Sequence, residues 1–144
     1  MNTTVAAVLK RKNQFPVTIA PDAPVFDALK LMDEKNVGSL VVVDGDKYLG
    51  IITERDYTRK VFLKGKNSNE TKVSEIMSVN LPALSPSDKI DYCMELLSDK
   101  NIRYMPVFEN DKLTGIISMS DVVKETILDQ KNTIDHLQNY IRNS

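Results

Sequence analysis

The chain has 144 residues, of which 42% are hydrophobic, and that is enough for a packed core in one ordinary domain or in two very small units. Its 19 basic and 20 acidic side chains give a formal net charge of -1, which argues against nucleic-acid binding because that activity needs a basic surface. We expect a cytoplasmic protein without membrane contact, because the sequence has a single cysteine and shows neither a signal-peptide pattern nor an apolar run long enough to span a bilayer.

In chain order, the first half begins with a short apolar strand over residues 17–19. Asp22 then opens a predicted helix in which apolar residues recur at helical spacing. A β-rich run over residues 39–43 and a second one over residues 48–53 flank a polar turn, which predicts a hairpin. Another helix is predicted to start directly after this hairpin.

The same order of elements recurs 65 residues later, so the sequence contains an internal repeat. The second copy has a predicted strand over residues 81–84, a helix opened by Ser87 and a hairpin made of residues 104–108 and 113–118. A unit of three strands and two helices cannot easily close its own core, so we expect the two copies to pack together. The predicted fold class is α+β, with two β-α-β-β-α repeats.

The repeat boundaries predict three parts of the chain, namely residues 1–66, residues 67–130 and a C-terminal helical extension over residues 131–144. The helix of the second copy continues from residue 122 to residue 141 with apolar positions at helical spacing. Its length suggests that it reaches beyond the second copy and finds a partner surface.

Each copy ends its hairpin in a hydroxyl residue followed three positions later by an aspartate: Thr53 with Asp56, and Ser118 with Asp121. One interpretation is a helix-capping pair, in which the hydroxyl and the carboxylate bond backbone N–H groups of the first turn. The other is a ligand site, because a helix N-terminus attracts phosphate and a carboxylate can accept hydrogen bonds from both hydroxyls of a ribose.

The repeated pattern, including residues 38–43 (GSLVVV) and residues 50–56 (GIITERD), closely resembles the CBS (cystathionine-β-synthase) domain. Two copies in tandem resemble the CBS pair, or Bateman module, of stand-alone CBS-pair proteins. The resemblance implies a pseudo-twofold pair with two clefts between the copies, which bind adenosine-containing ligands. AMP is the expected ligand, with ADP, ATP, S-adenosylmethionine or NAD(H) as alternatives. It also implies a disc-like homodimer.

The resemblance assigns ribose binding to Asp121 and Asp56, and places Ser118 and Thr53 by the ribose or the phosphate. In the second copy it places adenine against the segment before the middle strand, where the basic residue can reach phosphate. These residues are Arg103, Tyr104, Met105 and Pro106.

The matching residues of the first copy include Gly38 and Ser39, and they depart from this pattern, because Gly38 stands where the second copy has Arg103, and Val41 where it has Pro106. The cleft of the first copy is therefore expected to be different or weaker. Arg55 belongs to the first copy alone and could reach a phosphate, whereas Arg59 and Lys60 are interpreted as a solvated basic face. The first strands add Thr18 and Ala83 as secondary candidates, through backbone bonds to adenine.

These features predict a regulatory sensor that binds an adenine nucleotide and thereby biases the conformation of a dimer or of an unidentified partner protein in trans. The alternative is an interaction adaptor with vestigial clefts, which the C-terminal helix favours. Catalysis is disfavoured, because the sequence has no metal-binding cluster and no Walker-type loop. His136 is expected to be a solvated or interface residue, and Cys93 a small core residue.

Overall fold

A computed structural model describes residues 1–142 of the chain. Apart from the first strand of the second copy, the predicted helices and strands are present in the predicted order, which confirms the α+β fold class. The elements are α1 (Val5–Lys12), β1 (Thr18–Ile19), α2 (Val25–Lys35), β2 (Ser39–Asp44), β3 (Lys47–Thr53), α3 (Glu54–Tyr57), α4 (Val73–Ile76), α5 (Ile90–Lys100), β4 (Tyr104–Glu109), β5 (Lys112–Ser118) and α6 (Met119–Arg142). A π-helical turn, Thr58–Phe62, follows α3.

These elements form two compact units that are not contiguous in sequence. The first-repeat unit is Phe15–Leu81, and the second-repeat unit combines Met1–Gln14 with the chain from Pro82 onward. Helix α4, which precedes the second repeat in sequence, thus belongs to the first-repeat unit, and α1 belongs to the second-repeat unit. The boundaries at residues 66 and 130 describe the sequence repeat and stay a prediction, since the compact units follow a different division.

The first-repeat unit is built on a three-stranded sheet in which β1 runs parallel to β2 and β2 runs antiparallel to β3. Its core contains apolar residues of α2, β2, β3 and α4, all nearly inaccessible to solvent. Helix α2 begins at Val25 rather than at Asp22, because residues 21–23 form a turn and Pro24 occupies the N-cap. Backbone bonds from Val25 to Thr71 and from Val73 to Ala23 tie α4 to this unit.

The second-repeat unit has the same plan, with α1 in the place that α4 occupies in the first. Strands β4 and β5 pair antiparallel, and α5, α6 and α1 contribute to one buried cluster. Backbone bonds from Val5 to Asp88 and from Ile90 to Thr3 fix α1. Helix α5 begins at Ile90, three residues after the predicted start at Ser87.

Residues 81–84, predicted as the first strand of the second copy, form only a bridge between Leu84 and Val107. The cause is Pro106. In the first-repeat unit the equivalent Val41 donates its N–H to the Val17 carbonyl at 2.9 Å, whereas proline has no N–H to donate. The sheet of the second-repeat unit is therefore two-stranded.

Helix α6 confirms the predicted long C-terminal helix. Its first turns pack on the second-repeat unit through Val122 and Glu125, which are buried. The Arg11 guanidinium of α1 forms an ion pair with the Glu125 carboxylate at 2.6 Å. From Gln130 to Arg142 every residue is exposed.

Candidate functional site

The Asp56 carboxylate lies at the start of α3 and is engaged on both of its oxygens. Oδ2 accepts hydrogen bonds from the backbone N–H and the hydroxyl of Thr53, both at 3.0 Å. Oδ1 accepts one from the Ser78 hydroxyl at 3.0 Å and forms an ion pair with Lys60 Nζ at 3.0 Å. With only 6% of Asp56 exposed, little of this carboxylate is left for a ligand.

The Asp121 carboxylate occupies the equivalent position at the start of α6 but is engaged on one side. Its Oδ2 accepts the backbone N–H of Ser118 at 2.9 Å and the Lys12 ammonium at 2.9 Å. Within residues 1–142, the protein hydrogen bonds to this carboxylate all fall on Oδ2. Oδ1 therefore keeps its capacity to accept a hydrogen bond.

Both hydroxyl–aspartate pairs form the helix-capping arrangement, which is one of the two interpretations that the sequence allows. The Thr53 hydroxyl accepts the Asp56 N–H at 3.0 Å, and the Ser118 hydroxyl accepts the Asp121 N–H at 3.1 Å. The N–H of Met119 already bonds the Arg103 carbonyl at 2.8 Å. Two of the first three N–H groups of α6 are thus used, which reduces what this helix end offers to a phosphate.

The second-repeat unit brings its predicted site residues to one end of the β4–β5 hairpin. Tyr104 is paired with Ser118 across the two strands, and Arg103 immediately precedes β4. The Arg103 side chain is exposed, whereas Met105 and Pro106 are buried. These residues and Asp121 lie around the same strand–helix junction.

Ala83 precedes the residue that bridges to β4 and lies on an open backbone edge of the same unit. The neighbouring Leu84 directs both backbone groups at β4, because its N–H bonds Pro106 and its carbonyl accepts from Phe108. Alternate residues of an extended segment direct their backbone groups to opposite sides, so Ala83 presents its own to the free edge. Ala83 is exposed, which fits its role as a secondary candidate for adenine contact.

The first-repeat unit places its candidates in the same way. Ser39 pairs with Thr53, and the Gly38 carbonyl accepts the N–H of Glu54 at 3.2 Å. Thr18 is exposed on β1, and Arg55 lies half-buried in the first turn of α3. The structure therefore brings Gly38, Ser39, Thr53, Arg55 and Asp56 together around a second junction, whereas Thr18 lies across β2 from it, opposite Val41.

A groove of about 440 Å³ borders Gly38 on the side of α2. Its lining includes the carboxylates of Asp33 and Glu54 together with apolar residues such as Leu29 and Tyr57. Because the two carboxylates would repel an anion, this groove does not suit the phosphate of a nucleotide.

The sequence did not predict three side chains that contact the two aspartates, namely Lys12, Lys60 and Ser78. Lys60, interpreted as part of a solvated face, instead bonds Asp56 and the Ile76 carbonyl. Its spacing of four residues from Asp56 was the available signal. Lys12 and Ser78 had none, since they approach Asp121 and Asp56 only through the packing of α1 and of the chain after α4.

Two further titratable side chains, Cys93 and His136, lie on α5 and α6. Burial raises the pKa of the Cys93 thiol to about 11, with the nearby Asp88 carboxylate adding to the effect. His136 is exposed on α6. Among the described residues, no group of three or more His, Cys, Asp or Glu is placed to hold a metal ion. No helix in residues 1–142 is both long and apolar enough to cross a membrane.

Known proteins share this architecture. The CBS domain family model matches residues 3–62 and again residues 73–127. A mitochondrial CBS domain-containing protein of Arabidopsis thaliana is 35% identical over 150 residues, covering 98% of this chain and 73% of the relative. A protein with CBS domains from Burkholderia ambifaria MC40-6 has 45% identity and a TM-score of 0.83, covering 89% of this chain and 96% of that one.

One solved structure of lower identity contains ligands. The CBS domain pair of protein MJ0100, in complex with 5′-methylthioadenosine and S-adenosyl-L-methionine, is 25% identical with a TM-score of 0.76. The match covers 88% of this chain and 97% of that one.

Proposed function

The chain belongs to the CBS-domain family, whose paired domains are regulatory and ligand-binding, and from this premise we propose that it senses an adenine nucleotide, with AMP as the first candidate. The ligand site is the strand–helix junction of the second-repeat unit. Asp121 accepts the ribose hydroxyls, the edge at Ala83 bonds adenine, and Arg103 contacts the phosphate.

The observation that carries this proposal is the difference between the two aspartates. Asp121 has one carboxylate oxygen without a protein donor among the described residues, and the same unit has an exposed backbone edge at Ala83. Asp56 has both oxygens engaged. A ribose hydroxyl can therefore bond Asp121 without displacing a protein donor, whereas at Asp56 it would have to replace one.

Arg103 supports the choice of a phosphorylated ligand. Its guanidinium is exposed next to the junction, and its backbone is fixed by the bond from Met119. Guanidinium groups bind phosphate oxygens in a bidentate, charge-assisted manner. The first-repeat unit has Gly38 in this place, so we expect its junction to bind a nucleotide more weakly or in a different way.

Occupancy would be transmitted through Lys12. This lysine of α1 bonds both the Asp121 carboxylate and the Ile116 carbonyl, so α1 is tied to the proposed ligand residue. A ribose hydroxyl that donates a hydrogen bond to Asp121 weakens the ion pair between this carboxylate and Lys12. It can thereby favour one arrangement of the unit over another, which is the requirement for a population shift in a dimer or a partner protein.

Calorimetric titration of the chain with AMP, ATP and NADH tests the proposal, with adenosine as the control that lacks phosphate. We expect heat of binding and thermal stabilisation with AMP, and a weaker response from adenosine. Absence of both signals with every nucleotide would contradict the proposal and favour an adaptor with vestigial sites. Incubation with ATP or NADH followed by product analysis tests the expectation that the chain is not an enzyme.

A regulated partner in trans, a disc-like homodimer and a cytoplasmic location belong to the same proposal. The Arabidopsis relative is named as mitochondrial, so the compartment needs its own test. Fluorescent tagging in the source cells would contradict the cytoplasmic location if the signal followed an organelle marker.

A further inference from the structure

The outer face of α6 carries an apolar stripe that the second-repeat unit does not cover. Val123, Ile127, Ile134 and Leu137 have between 48% and 60% of their surface exposed. From Gln130 onward, every described residue of the helix is exposed. Large aliphatic side chains aligned along one exposed helix face are typical of an interaction surface rather than of a solvated helix.

The stripe has the spacing of a coiled-coil seam. The stripe follows six positions that are separated by alternating steps of four and three residues, and five of these positions are apolar. This is the 3.5-residue period of a heptad repeat, in which the positions are named a and d. Position a holds isoleucine three times, and position d holds valine, glutamine and leucine. The a residues are Ile127, Ile134 and Ile141, and the d residues are Val123, Gln130 and Leu137.

These residue types indicate the number and direction of the strands. Among parallel coiled coils, β-branched residues at a combined with leucine at d favour two strands, and this combination occurs here at Ile134 and Leu137. The flanking e positions hold Lys124 and Lys131, and the flanking g positions hold Thr126 and Thr133. Parallel pairing sets Lys131 opposite Thr126 and Lys124 opposite Met119 of the other copy, whereas antiparallel pairing sets e positions opposite e positions, so that Lys131 would face a second Lys131 and repel it.

The packing of α6 leaves this seam pointing outward. The buried residues Val122 and Glu125 occupy positions c and f, on the side of the helix opposite a and d. The ion pair between Arg11 and Glu125 holds that side against the second-repeat unit. A second helix can therefore approach the seam without displacing the contacts that fix α6.

The exposed half of α6 also has a weak helical propensity of its own. Asn132, Thr133, Asp135, His136 and Asn139 are all poorer helix formers than alanine or leucine. Isolated helices shorter than about 12–15 residues are marginal in water, and most helices in proteins are stabilised by packing of an apolar face. Packing of its apolar face against a partner would therefore stabilise the helix after Gln130.

We propose that α6 pairs in parallel and in register with α6 of a second copy of this chain. The interface is the seam of Val123, Ile127, Gln130, Ile134, Leu137 and Ile141. This pairing does not depend on the proposed nucleotide site, because it uses none of the residues at the strand–helix junctions.

Disulfide cross-linking tests the proposal directly. Gln130→Cys places a thiol at a central d position, where parallel, in-register helices bring identical residues together. Asn132→Cys, at position f on the far side of the helix, is the matched control. The native Cys93 is fully buried and so does not compete. Without added nucleotide, mild oxidation should give a covalent dimer of twice the 16.2 kDa chain mass for Gln130→Cys and at least tenfold less for Asn132→Cys.

A second pair of variants tests the seam in the Gln130→Cys background. Leu137→Asn removes a seam residue, and Leu128→Asn makes the same chemical change at position b, where 41% of the side chain is exposed. The first should reduce the cross-linked fraction at least tenfold, and the second by less than twofold. Equal cross-linking at positions 130 and 132, no cross-linking at 130, or equal effects of the two asparagine variants would overturn the proposal.

Discussion

Replacing Asp56 with alanine should cost more stability than replacing Asp121, although Asp121 is the proposed ligand residue. Both changes remove a capping carboxylate from a helix start, which typically costs about 1 kcal/mol. Asp56 additionally accepts the Ser78 hydroxyl on its other oxygen. A hydrogen bond to a charged group contributes about 1.5 kcal/mol or more.

The ion pairs of the two aspartates with lysine contribute little to the free energy of unfolding. Lys60 is 45% exposed and Lys12 is 31% exposed, so each ion pair contributes roughly 0.5 kcal/mol. We therefore expect Asp56→Ala to lower the free energy of unfolding by about 3 kcal/mol and Asp121→Ala by about 1.5 kcal/mol. Ser78→Ala should account for most of the difference.

AMP affinity should show the opposite order. Loss of a charge-assisted ribose bond costs about 1.5–3 kcal/mol, so Asp121→Ala should weaken AMP binding roughly 10- to 150-fold. Asp56→Ala should change it by less than about threefold.

Urea unfolding followed by circular dichroism suits the stability measurement, since the chain has no tryptophan, and calorimetry gives the affinities. The reasoning is refuted if Asp121→Ala is the more destabilising variant, or if Asp56→Ala weakens AMP binding as much as Asp121→Ala does.

Three further predictions concern a pair of glycines, the proposed phosphate ligand and the buried cysteine. Gly50→Ala should lower the free energy of unfolding by about 2 kcal/mol or more, because the new Cβ would lie 2.5 Å from the Ser78 carbonyl oxygen. Gly115→Ala should lower it less, because the nearest atom, at 2.7 Å, is the flexible end of the Leu9 side chain. Equal urea midpoints for the two variants would contradict this. Arg103→Ala should weaken AMP binding roughly tenfold and leave adenosine binding unchanged in the same titrations, whereas parallel losses would remove Arg103 from the phosphate site. Because its pKa is raised to about 11, Cys93 should react with a thiol reagent at pH 8 only after unfolding, and rapid labelling of the native chain would show that the thiol is accessible.

The repeated pattern predicts most of the local structure. Helical and alternating spacings identify α2, α5, both hairpins and α6, because these signals depend on residues close in sequence. The missing strand at residues 81–84 could also have been anticipated, since Pro106 lacks the N–H that its partner strand needs. The late starts of α2 and α5 reflect turns at residues 21–23 and 86–87, where proline, aspartate and serine favour a turn before the helix begins.

Long-range packing explains what the sequence could not predict. The exchange of α1 and α4 between the repeats depends on backbone bonds such as those of Val5 and Val73, which carry no sequence signature. The same exchange brings Lys12 to Asp121, and the chain after α4 brings Ser78 to Asp56. Each aspartate stands three positions after a hydroxyl residue that ends a strand, so the difference between their free oxygens becomes visible only in the folded units.

The most direct test of the central claim is an amide NMR titration of the chain with AMP. If the second-repeat junction binds the nucleotide, the largest shifts should occur at Ala83, Arg103, Ser118 and Asp121, with smaller shifts at Thr53 and Asp56. A titration that moves no amide, or that moves mainly those around Asp56, would contradict the account.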